Sequence, residues 1–236
     1  MDTEKCLEKY SDEFYALMYG RKGTGIDASN IDQGRLFLQK YYMDDVEYEG
    51  KCMQAMRKVF ANNPESFFDI RYKTIQDLLS NQSHYFSYQS SPLFWKESYE
   101  LIQAICVEYG DRYIYILEEE RCETAPEAAF KLKIPVNHSW EMLANGGCIA
   151  NVLFNMFQNN YYVFGDSGKW GKWCDYDNDF IDYEVFAYKY ETPQIAAYKD
   201  YFAITEEDYK SLNMVPPNLR GGLWNIIRRE RESQKD

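Results

Sequence analysis

The chain has 236 residues and a formal net charge of −12, with 45% apolar, 27% charged and 17% aromatic residues, 22 of them tyrosine. Scaling of surface with size gives roughly 70% burial on folding, enough for a core without disulfides or metal, and an aromatic content this high excludes a disordered chain. The charge excludes a general nucleic-acid binder, because the whole surface repels phosphate; basic residues concentrate only at the last helix and tail, around Arg228, Arg229 and Arg231.

The first predicted element covers residues 2–19, where Leu7, Tyr10, Phe14, Leu17 and Met18 fall on one helical face and Gly20 can end it. A loop follows, RKGTGIDASN, then a short helix over 30–42 and a clearer one over 44–61 carrying Cys52, Met53, Met56, Val59 and Phe60. Asn63-Pro64-Glu65 starts another predicted helix, reaching about Leu79 and burying Phe68, Ile75, Leu78 and Leu79. SNQSHYFSYQS, which holds His84, reads as a polar loop. Ser91-Pro92 then opens a helix through Phe94, Trp95, Ile102, Ile105 and Cys106 that stops near Gly110.

Strand signals take over after residue 111. RYIYIL (112–117) alternates, as do Phe130, Leu132 and Ile134 in AFKLKIPV. HSWEMLANGG reads as one or two helical turns, YYVFG as a strand, KWGKW as a turn or a strand and FIDYEVFAYKY (180–190) as a long strand. Residues 193–202, a segment opening at Thr205-Glu-Glu-Asp208 and residues 221–233 read as helices, with Pro216-Pro217 as a break. The expected class is α+β: a mainly helical part (1–110) packed on a mostly antiparallel sheet with C-terminal helices, the whole chain (1–236) forming one domain.

Six dispersed cysteines, an acidic N-terminus and the lack of any run of about 18 apolar residues point to a cytoplasmic protein with free thiols and no membrane span.

Three motif-like patterns lie in Tyr161–Asp179. Gly165-Asp166-Ser167-Gly168 resembles the surroundings of a serine nucleophile. The chain's only histidines are His84 and His138, and all four residue types favour a turn between strands. The spacing from Gly165 to Gly171-Lys172 exceeds that of a phosphate loop by one residue, and Trp173 stands where a magnesium-binding hydroxyl is required. Asp175, Asp177 and Asp179 begin like a calcium loop, but Phe180 and Phe186 replace its glycine and its bidentate glutamate. No metal, cofactor or catalytic residue is therefore assigned. His138 with Cys148 or Ser167 forms the alternative, a small hydrolase or thiol-dependent enzyme.

Two acidic runs remain. Residues 108–123 hold Glu108, Asp111, Glu118, Glu119, Glu120 and Glu123 against two arginines, a pattern usual for a solvated face. The second places Asp175, Asp177, Asp179, Asp182 and Glu184 beside Trp170, Trp173 and Tyr176. Tryptophan and tyrosine among carboxylates suit an interface that grips a basic protein, if the rings face outward.

Ile134-Pro135, Trp140 to Leu143, Asn145-Gly146-Gly147 and Tyr162-Val-Phe164-Gly165-Asp166 follow one another in an order that resembles the SUKH superfamily. The resemblance spans roughly residues 134–176. It implies an α+β protein of the bacterial immunity type, which binds and blocks a toxin, and it carries over no catalytic residue because such proteins work by occlusion. The expectation is a cytoplasmic, non-enzymatic module that blocks a basic protein partner, a toxin domain, without nucleic acid, membrane or cofactor.

Overall fold

A computed structural model describes residues 3–19, 28–61, 74–80, 83–89, 93–119, 129–155, 160–175, 183–203, 228–230 and 232–233. Its centre is a six-stranded sheet formed by β1 (His84–Gln89), β2 (Tyr113–Glu118), β3 (Lys131–Pro135), β4 (Tyr161–Gly165), β5 (Trp170–Asp175) and β6 (Tyr183–Tyr188). The strand order is β1-β6-β5-β4-β2-β3, and every neighbouring pair is antiparallel. With the helices described below, this is the expected α+β class.

Helices cover both faces. The described helices are α1 (Thr3–Tyr19), α2 (Ala28–Tyr41), α3 (Asp45–Glu47), α4 (Met53–Val59), α5 (Lys96–Tyr109), α6 (Trp140–Ala144), α7 (Gly147–Asn155) and α8 (Pro193–Tyr201). Strand side chains alternate between two cores. Ile114, Ile116, Val163, Trp170, Cys174 and Phe186 join α1, α2, α5, α7 and α8 in the larger core. Tyr115, Leu117, Tyr162, Phe164, Trp173 and Val185 join α4 and Ile75, Leu78 and Leu79 in the smaller one. β2, expected to alternate, is instead buried on both faces, as is β4, because helices cover both sides of the sheet.

Several elements differ from the sequence expectation. SNQSHYFSYQS holds a strand: β1 pairs with β6 along its length, and Phe86 stacks on Phe186 with ring centroids 5.3 Å apart. Its serines and glutamine mask a segment whose Tyr88 is fully buried. The helix over 44–61 is interrupted by a π-helical turn at Tyr48–Cys52, a widening of the i→i−4 ladder that periodicity does not reveal. The end of the helix expected to reach Leu79 is a 3-10 turn, Ile75–Asp77, held by a reciprocal Thr74–Asp77 cap, while residues 62–73 lie outside the described set. The segments expected to be helical at 205–208 and 221–227 also lie outside it.

The acidic run at 108–123 is not simply a solvated face. Asp111, Glu118 and Glu119 are buried. Glu118 accepts from Lys9 Nζ at 2.8 Å, from the Tyr10 hydroxyl and from the Phe130 amide at 3.0 Å. Glu119 accepts from Asn160 Nδ2 at 2.8 Å and Tyr162 Oη at 3.3 Å. Buried carboxylates persist only with such partners, so these side chains tie α1, β3 and β4 to β2. No helix of the described residues is long and apolar enough to cross a membrane.

Candidate functional site

The β4–β5 connection contains GDSG and is a turn, as its composition predicts. Gly165 ends β4, Trp170 begins β5, and the Gly168 amide donates back to the Gly165 carbonyl at 3.0 Å. Asp166 accepts from the Arg112 and Tyr113 amides at 2.7 and 3.2 Å. Asp111 accepts from the Ser167 amide at 2.5 Å and from Trp170 Nε1 at 2.8 Å. The two aspartates thus fasten the start of β2 and the β4–β5 turn to each other. Burial pushes the Asp111 carboxyl above its ordinary range, and the donated hydrogen bonds oppose that shift.

The expected acidic aromatic face is not assembled as read. Trp170, Trp173 and Glu184 are all fully buried, on a strand pair covered on both sides. Trp170 stacks on Phe186 at 5.7 Å in the larger core, and Trp173 packs near Tyr162 in the smaller one, so the two rings point to opposite faces of the sheet. Glu184 is paired with Lys172 and accepts from the Tyr88 hydroxyl. Asp175 ends β5 opposite Tyr183. Tyr176, Asp177, Asp179 and Asp182 lie outside the described residues. The spacing Trp-x-x-Trp on a strand places one ring on each face, and with both faces covered neither reaches solvent.

The residues of the alternative catalytic set have other partners or surroundings. His138 Nδ1 sits 3.0 Å from the Tyr41 hydroxyl, and burial beside Lys40 lowers its pKa from 6.5. Cys148 lies buried on α7, where burial raises its thiol to about 11, the opposite of an activated nucleophile. Ser167 Oγ accepts from the Lys169 amide at 3.3 Å within the β4–β5 turn.

An acidic, partly apolar surface does exist, elsewhere. On the outer side of α5, Glu97, Glu100, Ala104, Val107 and Glu108 are exposed, following Trp95 and Lys96. Val107 is 72% and Trp95 49% exposed. Lys96 Nζ reaches Glu141 Oε1 at 2.8 Å, which brings α6 alongside with Met142 at 44% exposure. Gln103 and Tyr99 donate to the His138 carbonyl at 2.9 Å, fixing the 136–138 segment against the same helix. Between them runs a groove of about 670 Å³ lined by Ala104, Val107, Tyr113, Pro135 and Val136, with Asp111, Arg112, Gln103 and Asn137 as its polar groups. The sequence signal was available for Val107, which falls out of phase with Ile102, Ile105, Cys106 and Tyr109, the buried positions of α5; Trp95 is in phase with Ile102 and Cys106 and is exposed because it is the extended N-cap that precedes the helix. Apolar residues off the buried stripe of a helix stand in solvent.

Comparison with family models, with curated proteins and with solved structures finds no match to this chain.

Proposed function

We propose that this chain is a cytoplasmic, non-enzymatic binding protein of the immunity type, which blocks a basic protein partner by covering it with the outer face of α5 and the adjoining α6. The observation that carries the reading is the exposure of Trp95, Val107 and Met142 on α5 and α6 beside Glu97, Glu100, Glu108 and Glu141, with Val107 also lining the adjoining groove. Large apolar side chains anchor an interface once desolvated, and surrounding carboxylates steer a basic partner to it, raising association rates by roughly 10–10³-fold. The resemblance of residues 134–176 to the SUKH superfamily supports the same role, because those proteins inhibit by occlusion. The five described cysteines are all buried, as core thiols of a reducing compartment would be.

The test is affinity capture from cells of the producing strain with the wild-type chain and with Glu100→Lys/Val107→Asp/Glu108→Lys, followed by expression of the captured basic protein with each. Wild type retains the partner and restores growth, and the triple variant does neither. Equal capture and equal rescue by the triple variant would sink this choice of face. A captured protein that is harmless to cells would remove the immunity role.

A further inference from the structure

A second concave site lies at the end of the sheet where the β4–β5 turn meets the end of α4. It has a volume of about 670 Å³ and is lined by Arg57, Lys58, Ser80, Ser167, Gly168, Lys169, Lys189 and Tyr190. Four cations converge there and no carboxylate is among these lining residues, although the chain carries 38 acidic against 26 basic residues. None of the four is ion-paired with a carboxylate among the described residues. Elsewhere Lys9, Lys96, Lys133, Lys172 and Arg35 all are.

The geometry points to a binding site for a small ligand carrying two or more linked phosphates, of the chemical class of nucleoside polyphosphates.

The cations come from three separate parts of the chain, which the fold holds in place. Arg57 and Lys58 occupy the last turn of α4, where positive charge also complements the helix dipole. That accounts for two of them and not for the others. Lys169 sits in the β4–β5 turn, its Nζ 3.1 Å from the Tyr109 carbonyl. Lys189 follows β6, its amide bonded to the Lys169 carbonyl and its Nζ held 2.9 Å from Ser80 Oγ. Lys58 Nζ lies 3.4 Å from the Ser167 carbonyl, across the cleft from its own helix. Gly168 lets the turn approach α4: its φ is +65°, and a Cβ there would stand 2.7 Å from the Ala55 carbonyl oxygen.

Gathering four like charges in a concavity costs energy without an anion, and burial already lowers the Lys189 pKa. A polyphosphate relieves that cost. The planar fork of Arg57 matches two phosphate oxygens and the lysines supply point charges. The volume falls within the usual 300–1,000 Å³ of small-ligand sites. Tyr190, 48% exposed at the rim, offers a ring face to a base. The overall charge of −12 disfavours a long polyanion on the same site, so a compact ligand fits and a nucleic acid does not.

Calorimetric titration of the full chain at constant ionic strength tests this, with ATP, inorganic tripolyphosphate, AMP and sulfate as the probes. Saturable one-to-one binding is expected for ATP and tripolyphosphate, with AMP and sulfate at least about tenfold weaker. Arg57→Ala and Lys169→Gln should each weaken binding at least about tenfold, the usual worth of one charge-assisted hydrogen bond, with an unchanged circular dichroism spectrum. ATP binding tighter than tripolyphosphate, with the difference lost in Tyr190→Ala, assigns the ring to the base. Equal affinity leaves the phosphates as the recognised group. Sulfate binding as tightly as tripolyphosphate, no saturable binding at millimolar ligand, or undiminished binding in both folded variants overturns the proposal.

Discussion

Asp111 and Asp166 brace each other's loops: Asp166 accepts from the Arg112 and Tyr113 amides, and Asp111 from the Ser167 amide and the Trp170 indole. This exchange fixes the shape of GDSG, with the Ser167 amide held by Asp111. An Asp111→Asn amide must turn its NH₂ toward one of two fixed donors, and the expected cost is about 1–3 kcal/mol. Gly168→Ala places a Cβ at φ +65° against the Ala55 carbonyl, and a cost of about 1–3 kcal/mol is expected. Urea unfolding of both variants measures these losses; wild-type stability in Asp111→Asn would show that the lock is not needed.

The buried pair on β5 and β6 should respond differently to single and double replacement. Lys172 Nζ lies 3.0 Å from Glu184, both side chains are out of solvent, and the Tyr88 hydroxyl donates to the same carboxylate. Lys172→Met leaves Glu184 uncompensated, and the expected loss is about 3–5 kcal/mol. Lys172→Met/Glu184→Leu removes both charges, and Tyr88 can turn to Tyr198 Oη at 2.9 Å. The double variant should therefore recover most of the loss, which equilibrium unfolding checks. A double variant less stable than the single one would mean that the polar network holds more than the charge pair.

How far the sequence carries can be read from these same strands. The order of helices and strands followed from periodicity, and the GDSG turn followed from residue types. β1 did not, because Tyr88 and Phe86 are separated by serine and its strength comes from β6, about a hundred residues away. The burial of Trp170 and Trp173 was hidden for a related reason. Exposure of Trp170 and Trp173 depends on whether helices cover both sides of β5, and α4 and the larger core do so from distant parts of the chain. Carboxylates in runs read as surface, yet Glu118 and Glu119 are buried because Lys9, Tyr10, Asn160 and Tyr162 arrive from elsewhere. The convergence of Arg57, Lys58, Lys169 and Lys189 was equally invisible, since over a hundred residues separate the two pairs.

The thiols give a direct chemical readout. Cys6, Cys52, Cys106, Cys148 and Cys174 are buried, and burial raises the Cys148 thiol to about 11 and raises the Cys52 and Cys106 thiols as well. In a Cys122→Ser variant at pH 7.5, a disulfide reagent should find no fast-reacting thiol in the native protein and five in urea. A rapid native reaction traced to Cys148 would reopen the thiol-enzyme alternative.

His138 makes stability depend on pH in a defined direction. Its folded pKa is lowered below 6.5, first by burial and then by Lys40, so the unfolded chain binds the proton more tightly. Its contribution is therefore complete above the unfolded value and is lost as pH falls through 6.5 toward the lower folded value. The neutral ring suits its partner: Nδ1 can accept from the Tyr41 hydroxyl at 3.0 Å, whereas a protonated Nδ1 becomes a donor and forces that hydroxyl to turn. Wild type should lose stability relative to His138→Gln between pH 7.5 and 5.5, as urea unfolding at several pH values would show. In the native protein the His138 ring protons should titrate below pH 6.5 by NMR. A ring titrating above 6.5, or parallel stability curves for the two proteins, would contradict the assignment of a neutral, Tyr41-bonded imidazole.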